Sequence, residues 1–366
     1  MKMKIPDYIR SIRPYKPGKP IEELEREYGV SGSVKLASNE NPMGPSPAAV
    51  AAMKDAMEKL HRYPDGRGYE LVQKLSAHLD VPAESIVLGN GSDEIIGMIT
   101  RIFLAPGDEA IMTDPSFLMY DIMVRSCGAD PVFVPLKSLF VDLDAIAGQV
   151  TDKTRIIFLN NPVNPTGTII TKRDFKAFLD KIPEDVAVVL DEAYIEFVKD
   201  PECLDGIGYT AGSRPVAVLR TFSKAYGLAG IRIGYGVMPP EMAELVHRVR
   251  QPFNCSAPAQ AAAVASLADA EFLERSVALN SEQRELLRAG LEGLGYRPLP
   301  SAGNFLTFDA GPEAANLNEQ LLRRGVIVRP VDAYQLPNHL RVSVGTPAEN
   351  RAFLGALATA AGGGAA

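Results

Sequence analysis

Between residues 86 and 237 one unit recurs: a short, continuously apolar run, a polar or glycine-bearing turn, then an amphipathic stretch. The apolar runs fall at 86–88, 110–112, 132–134, 156–159, 186–190, 216–219 and 231–237. Helical patterns separate many of them, at 93–103, 117–127, 143–150 and 174–182. A strand that is apolar at every position has no solvent face, so it belongs in a sheet covered on both sides. Strands alternating with helices pair in parallel, because each crossover helix carries the chain back to the same sheet edge. The pattern predicts an α/β protein with a mostly parallel central sheet covered by helices.

The flanks read differently. The stretch up to residue 45 is rich in Pro and Gly and reads as an arm. Ser46-Pro47 is an N-cap followed by a first helical position, and predicts a helix to about residue 60; a second is expected at 69–79. After about residue 251 an Ala-rich helix (259–267) and a long amphipathic one (272–294) precede strand candidates at 305–308, 326–328 and 340–344. These predict a smaller α+β domain. The expected division is an arm at 1–45, a large α/β domain at 46–254 and a small domain at 255–366. The final stretch, 356–366, is expected to fray.

Composition narrows the function. Of 366 residues, 46% are hydrophobic and 23% charged, which excludes disorder, collagen and coiled coil as the main organisation. The formal net charge of −7 argues against a nucleic-acid or anionic-membrane surface. The basic N-terminus lacks an apolar signal-peptide core, and no apolar run approaches the ~20 residues of a membrane span. The expectation is a cytoplasmic protein without nucleic-acid or membrane partners. The 3 Cys (Cys127, Cys203, Cys255) and the 4 His lack metal-ligand spacing, so reduced thiols and no metal site are expected.

In an open α/β sheet, ligands bind beyond the carboxyl ends of the strands. Four polar segments follow apolar runs there: GNGSDE (89–94), NNPVNPTG (160–167), DEAY (191–194) and RTFSKAYGLAGIRIGYG (220–236). GNGSDE offers a glycine turn and a helix start to an anion, or is a tight turn capped by Ser92 or Asp93. It lacks the third glycine of a dinucleotide fingerprint, which counts against a nicotinamide dehydrogenase. Asp191, directly after VAVVL, is either a cap or a buried negative charge facing a cationic ligand atom. Lys224 sits among small and apolar neighbours at the same edge. A lysine desolvated there loses pKa and becomes a nucleophile for a carbonyl carbon. Arg232 is a charge in a run otherwise read as a buried strand, and it needs an anionic partner.

SKAYGLAGIRIGYG resembles the coenzyme-lysine signature of the fold-type I pyridoxal-phosphate aminotransferases, and the other three segments fall in that family's order across the whole chain. Within it, RPYKPGKPIEELEREYG (13–29), LASNENPMGPSP (36–47), RYPDGRGYEL (62–71) and LRVSVGT (340–346) are most similar to the histidinol-phosphate aminotransferases. The resemblance implies pyridoxal 5'-phosphate as cofactor and transamination between histidinol phosphate and 2-oxoglutarate. It implies that Lys224 carries the cofactor and moves the substrate's proton. Asp191 pairs with the ring nitrogen, Tyr194 and Asn164 hydrogen-bond the phenolic oxygen, and Phe117 stacks on the ring. Ser92, Asp93, Ser223 and Arg232 cup the cofactor phosphate, and Tyr63 reaches it from the neighbouring subunit. That makes the protein a homodimer with shared active sites, its arm joining the small domain and the dimer contact. Arg341, Arg329 and Tyr15, with Asn164, are implied in substrate binding. Asn39 and Glu40 line the same cleft without an assigned role. Aromatic-amino-acid aminotransferases and a phosphothreonine-type decarboxylase share the lysine motif and stay open as alternatives, as does a non-catalytic binding domain of the same fold.

Overall fold

The computed structural model describes residues 3–15 and 17–362. In chain order the arm contains α1 (Asp7–Ser11), α2 (Ile21–Tyr28) and β1 (Val34–Lys35). The large domain follows with α3 (Pro47–Met57), α4 (Tyr69–Leu79), β2 (Ile86–Gly89), α5 (Ser92–Phe103), β3 (Glu109–Asp114), α6 (Leu118–Ser126) and β4 (Asp130–Pro135). It continues with α7 (Leu143–Ala147), β5 (Thr154–Asn160), α8 (Lys172–Leu179), β6 (Ala187–Asp191), β7 (Val216–Thr221), β8 (Gly234–Val237), α9 (Pro240–Val249) and α10 (Ala257–Ala268). Then come α11 (Ala270–Gly293), β9 (Phe305–Asp309), α12 (Ala314–Leu322), β10 (Val326–Ile327), β11 (Arg329–Pro330), β12 (His339–Ser343) and α13 (Pro347–Gly362).

The large sheet has seven strands in the order β2-β8-β7-β6-β5-β3-β4. Only β8 runs antiparallel to its neighbours. The continuous apolar runs now have their reason. Ala187 and Val189 of β6 enter one buried cluster with Ile156, Phe158, Ala217 and Leu219. Val188 and Leu190 enter a second cluster with Ile157, Leu159, Val216 and Val218. Side chains alternate across a strand, so a sheet with two covered faces demands apolar residues at both parities.

Ser46 caps α3 as expected, accepting from the Ala49 N–H at 3.1 Å. The arm is more structured than its Pro/Gly content suggests. Its α2 opens after Pro20 and ends on Gly29 in the left-handed region, and Leu24 on that helix is fully buried. β1 pairs in parallel with β10 of the small domain. The packing runs on past residue 254. Ala259, Ala262 and Ala263 of α10 share a buried cluster with Ala49, Leu71 and Leu75 of α3 and α4. Small side chains one turn apart let these helices approach closely. The 24-residue α11, roughly 36 Å long at 1.5 Å per residue, bridges the two bodies. Leu273 near its start packs on the large domain, while Leu287 and Leu291 near its end enter the small-domain core.

Two expectations are corrected. The run 231–237 is a strand only from Gly234; Ala229–Ile231 is a 3-10 turn and Arg232 adopts a left-handed φ of 58°. The fraying expected from 356 does not occur as far as 362, because α13 places Leu357 in the core beside Phe308 and Phe353. Residues 363–366 lie outside the described residues.

Candidate active site

The ends of β2, β5, β6 and β7 open on a cavity of about 310 Å3. Residues 37–40 of the arm and Arg329, Tyr334 and Arg341 of the small domain close its other side. Arm, large domain and small domain therefore each contribute a wall.

Asp191 ends the wholly buried β6. Its Oδ2 accepts from the Tyr120 hydroxyl at 2.6 Å. Tyr120 is itself fully buried, on α6, with its ring stacked on Phe158: the centroids are 4.7 Å apart and the two planes differ by 7°. Asp191 Oδ1 is buried without a hydrogen-bond partner among the described residues. Burial pushes this carboxyl up to about 6, against the pull of the Tyr120 hydrogen bond. An unpartnered carboxylate oxygen in that position is costly unless a cationic or donor group meets it. The next residue, Glu192, points the other way, where Arg220 donates to it from Nε at 3.0 Å and Nη2 at 2.7 Å.

Lys224 lies in the turn after β7. Its Nζ donates to the Ser38 carbonyl at 3.1 Å and sits 5.9 Å from the Tyr194 ring centroid. Burial, then the nearby Arg341 charge, pushes the lysine down to about 8. Tyr194 is pushed up to about 12, mainly by burial, so it remains a phenol at neutral pH. The Tyr194 hydroxyl accepts from Asn39 Nδ2 at 3.0 Å.

At the opposite end, α5 begins on Gly91 (φ 83°) with no side-chain cap, so neither Ser92 nor Asp93 closes the helix start. Its first N–H groups face the cavity with a positive dipole end. Gly91 suits its φ of 83°, which residues with a side chain rarely adopt, and a Cβ there would push the Arg232 guanidinium aside, lying 2.2 Å from its Nη2. Arg232 donates to Ser223 Oγ at 3.4 Å and pairs with Asp93 at 3.3 Å. It is therefore a half-exposed rim arginine, not a charge buried within a strand.

Arg341 is 5% exposed. Its Nη2 donates to the Ala37 carbonyl at 2.8 Å and its Nη1 to Asn164 Oδ1, while Nε is buried without a partner among the described residues. Arg329 is the residue directly opposite Arg341 in the β11–β12 register. Two guanidinium groups at directly opposed positions concentrate positive charge on this wall, which favours an anionic ligand there. The Arg329 guanidinium lies 5.7 Å from the Tyr15 ring centroid.

The structure thus gathers Tyr15, Ser92, Asp93, Phe117, Asn164, Asp191, Tyr194, Ser223, Lys224, Arg232, Arg329 and Arg341 around one cavity. Tyr63 is not among them. It is 81% exposed and stacks on Phe253, with ring centroids 4.6 Å apart. Sequence reasoning missed Tyr120, whose only signal is its place one turn after Phe117, and it left Asn39 without a role.

With this geometry in view, comparison with known proteins is decisive. Residues 31–357 match the family model described as aminotransferase class I and II. The chain belongs to that family. It is 48% identical to a histidinol-phosphate aminotransferase of Methylobacillus flagellatus, covering 96% of each chain. It is 46% identical to histidinol-phosphate aminotransferase 2 of Pseudomonas fluorescens, over 96% of this chain and 95% of the relative. A solved histidinol-phosphate aminotransferase of Sinorhizobium meliloti, in complex with pyridoxal-5'-phosphate, superposes with a TM-score of 0.91 at 29% identity over 100% of this chain and 99% of that one. A Thermus thermophilus aspartate aminotransferase, at 24% identity and a TM-score of 0.85, covers 98% of this chain and 100% of that one, and shares the fold.

Proposed function

We infer that the chain is a pyridoxal-phosphate-dependent histidinol-phosphate aminotransferase of histidine biosynthesis. It moves an amino group from L-histidinol phosphate to 2-oxoglutarate, giving imidazole acetol phosphate and glutamate. The observation that carries this reading is near-full-length identity to histidinol-phosphate aminotransferases combined with the Arg329–Arg341 pairing across one cavity wall. A carboxylate is satisfied by one bidentate arginine, whereas a phosphate ester approaches two charges and offers more acceptor oxygens.

The residues fit the cofactor. Asp191 Oδ1, buried and unpartnered, suits the hydrogen-bonding ring nitrogen, and the uncapped start of α5 with Ser223 and Arg232 suits the phosphate. When bound, pyridoxal phosphate supplies an electron sink for the charge left at the substrate's Cα. Asp191 would hold the ring nitrogen, Phe117 would lie against the ring face, and Asn164 and Tyr194 would donate to the phenolic oxygen. Lys224, pushed down to about 8, presents a substantial neutral fraction near neutral pH, and its Nζ would take the proton from Cα. Arg341 would bind the histidinol phosphate group in one half-reaction and a carboxylate of the dicarboxylic acid in the other. Arg329 and Tyr15 would complete the phosphate end.

The exposed Tyr63–Phe253 stack supports a homodimer in which Tyr63 of the partner subunit completes the phosphate cup. The three thiols are free, which suits a reducing compartment, and we place the enzyme in the cytoplasm. A half-reaction scan of the holoenzyme tests the substrate assignment. Histidinol phosphate should give the highest kcat/KM, with keto product and glutamate formed and no CO2 released. A preference for phenylalanine or tyrosine would overturn the substrate, and CO2 from phosphothreonine would overturn the reaction class.

A further inference from the structure

Asn39 is a residue without a role in the scheme above, yet it is 1% exposed and adopts a left-handed φ of 54°. Asparagine tolerates that region better than most residues. Three contacts fix its backbone and its side-chain amide. Its N–H donates to Ser343 Oγ at 2.8 Å, and the same hydroxyl donates to Asn39 Oδ1 at 3.0 Å. Asn304 Nδ2 donates to the Asn39 carbonyl at 2.9 Å. With Oδ1 committed to Ser343, only Nδ2 can face Tyr194, and it donates to the Tyr194 hydroxyl at 3.0 Å. A phenol that accepts from an amide must send its own hydrogen elsewhere. Tyr194 lines the cavity, so that hydrogen is left to point inward.

We propose that Asn39 is a positioning residue that makes Tyr194 a donor into the cavity, tying the arm to the tuning of the cofactor. Resting on the proposed function, this gives residues 37–39 a common job. Successive groups of the segment hold Arg341 through the Ala37 carbonyl, Lys224 through the Ser38 carbonyl and Tyr194 through the Asn39 amide. The hydroxyl is also faced by Arg341, Asp191 and Tyr334, with Lys224 over the ring, and the substitutions below leave all four in place.

The readout is the midpoint of the pH titration of the holoenzyme's visible band. A donor to the cofactor's phenolic oxygen favours its anionic form, so the protonated lysine–cofactor linkage gains stability as that donor is lost. Asn39→Asp keeps the shape but offers Tyr194 an acceptor, turning its hydrogen away from the cavity. Asn39→Gly suits the backbone and removes the amide. Asn39→Asp should raise the midpoint by about 1 unit, the scale of one hydrogen bond to a charged group, and Asn39→Gly should raise it less. Because an aspartate's charge alone could raise a midpoint, each change is repeated in Tyr194→Phe, where neither should add a comparable shift. Either soluble variant decides the matter. An unchanged midpoint, or the same shift in the Tyr194→Phe background, overturns the proposal. A wild-type protein that gains no visible band with pyridoxal phosphate would instead overturn the proposed function on which it rests.

Discussion

The two walls of the cavity are built in opposite ways. The large-domain wall takes its polar groups from strand ends of one sheet: Asp191 at the end of β6, Lys224 after the adjacent β7, and the α5 start after β2, which β8 separates from β7. The other wall is stitched from parts far apart in sequence. Arg341 reaches Ala37 and Ser343 reaches Asn39, each across 304 positions. The first wall needs only a correctly folded sheet, whereas the second exists only when arm and small domain have both docked. The contrast predicts that damage to the first wall ends the chemistry, while damage to the second changes what is bound.

The largest effect should come from Lys224→Ala. Removing the group that moves the Cα proton is expected to cost at least about 10²–10⁴-fold in kcat, and to abolish the borohydride-fixed cofactor adduct on the peptide containing Lys224. A folded variant that turns over at the wild-type rate would break the comparison at its first wall. The same variant tests subunit sharing. Lys224→Ala and Tyr63→Ala dimers should each be impaired, yet a refolded mixture should regain activity, because one site of the heterodimer carries neither lesion. No recovery in verified heterodimers would place Tyr63 outside the partner's site.

Glu192 sharpens the same wall from behind. It neighbours Asp191, but its carboxylate is spent on Arg220 and on the Gly206 N–H at 2.6 Å. Glu192→Ala leaves Arg220, 9% exposed at its side chain, with Asp205 as its remaining ion-pair partner among the described residues. That should lower stability by about 3 kcal/mol, the low end for breaking a buried pair, as read by chemical denaturation. Glu192→Gln, which retains the shape and an acceptor, should cost less. Equal and negligible losses for both would show that the pair is not structural.

Legibility followed the same divide. The β6 and β7 strands were readable because two buried faces force uninterrupted apolar runs, and the polar residue that ends such a run is conspicuous. Asp191 and Lys224 stood out for that reason. Arg232 was located but misread, since the apolar residues around it mimic a strand where the backbone turns left-handed to bring the guanidinium over Gly91. Tyr120 carries only its spacing from Phe117 as a signal, because a tyrosine on a buried helix face looks like packing until its hydroxyl is found on Asp191. Asn39 could not be assigned, since its partners Ser343 and Asn304 meet it only through the tertiary fold. The helix α2 is hidden by the Pro and Gly content of the stretch around it, although Pro20 and Gly29 punctuate it.

A smaller effect separates the two arginines of the second wall. Arg341→Ala should lower kcat/KM in both half-reactions, by roughly tenfold or more for a charged hydrogen bond lost in a partly desolvated cleft. Arg329→Ala should weaken histidinol phosphate more than glutamate or phenylalanine. An equal loss with every donor would remove Arg329 from the phosphate end and leave Arg341 alone there.

The smallest predicted effect joins the walls through charge. The neutral amine is the form of Lys224 that attacks a carbonyl, and its fraction grows as pH rises toward about 8. Cofactor capture by the cofactor-free protein should therefore accelerate with pH up to about that value and then level off. Burial is the main cause of the lowered lysine, and the Arg341 charge is the next. Removing that cation makes the protonated lysine easier to hold, so Arg341→Ala should move the rise to higher pH, toward the ordinary lysine range. Stopped-flow capture rates measured across pH 6–10 for both proteins, at saturating and subsaturating pyridoxal phosphate, give the two midpoints directly. A midpoint that stays put in Arg341→Ala would mean that the small-domain wall exerts no field on the lysine, and that the two walls meet at the substrate alone.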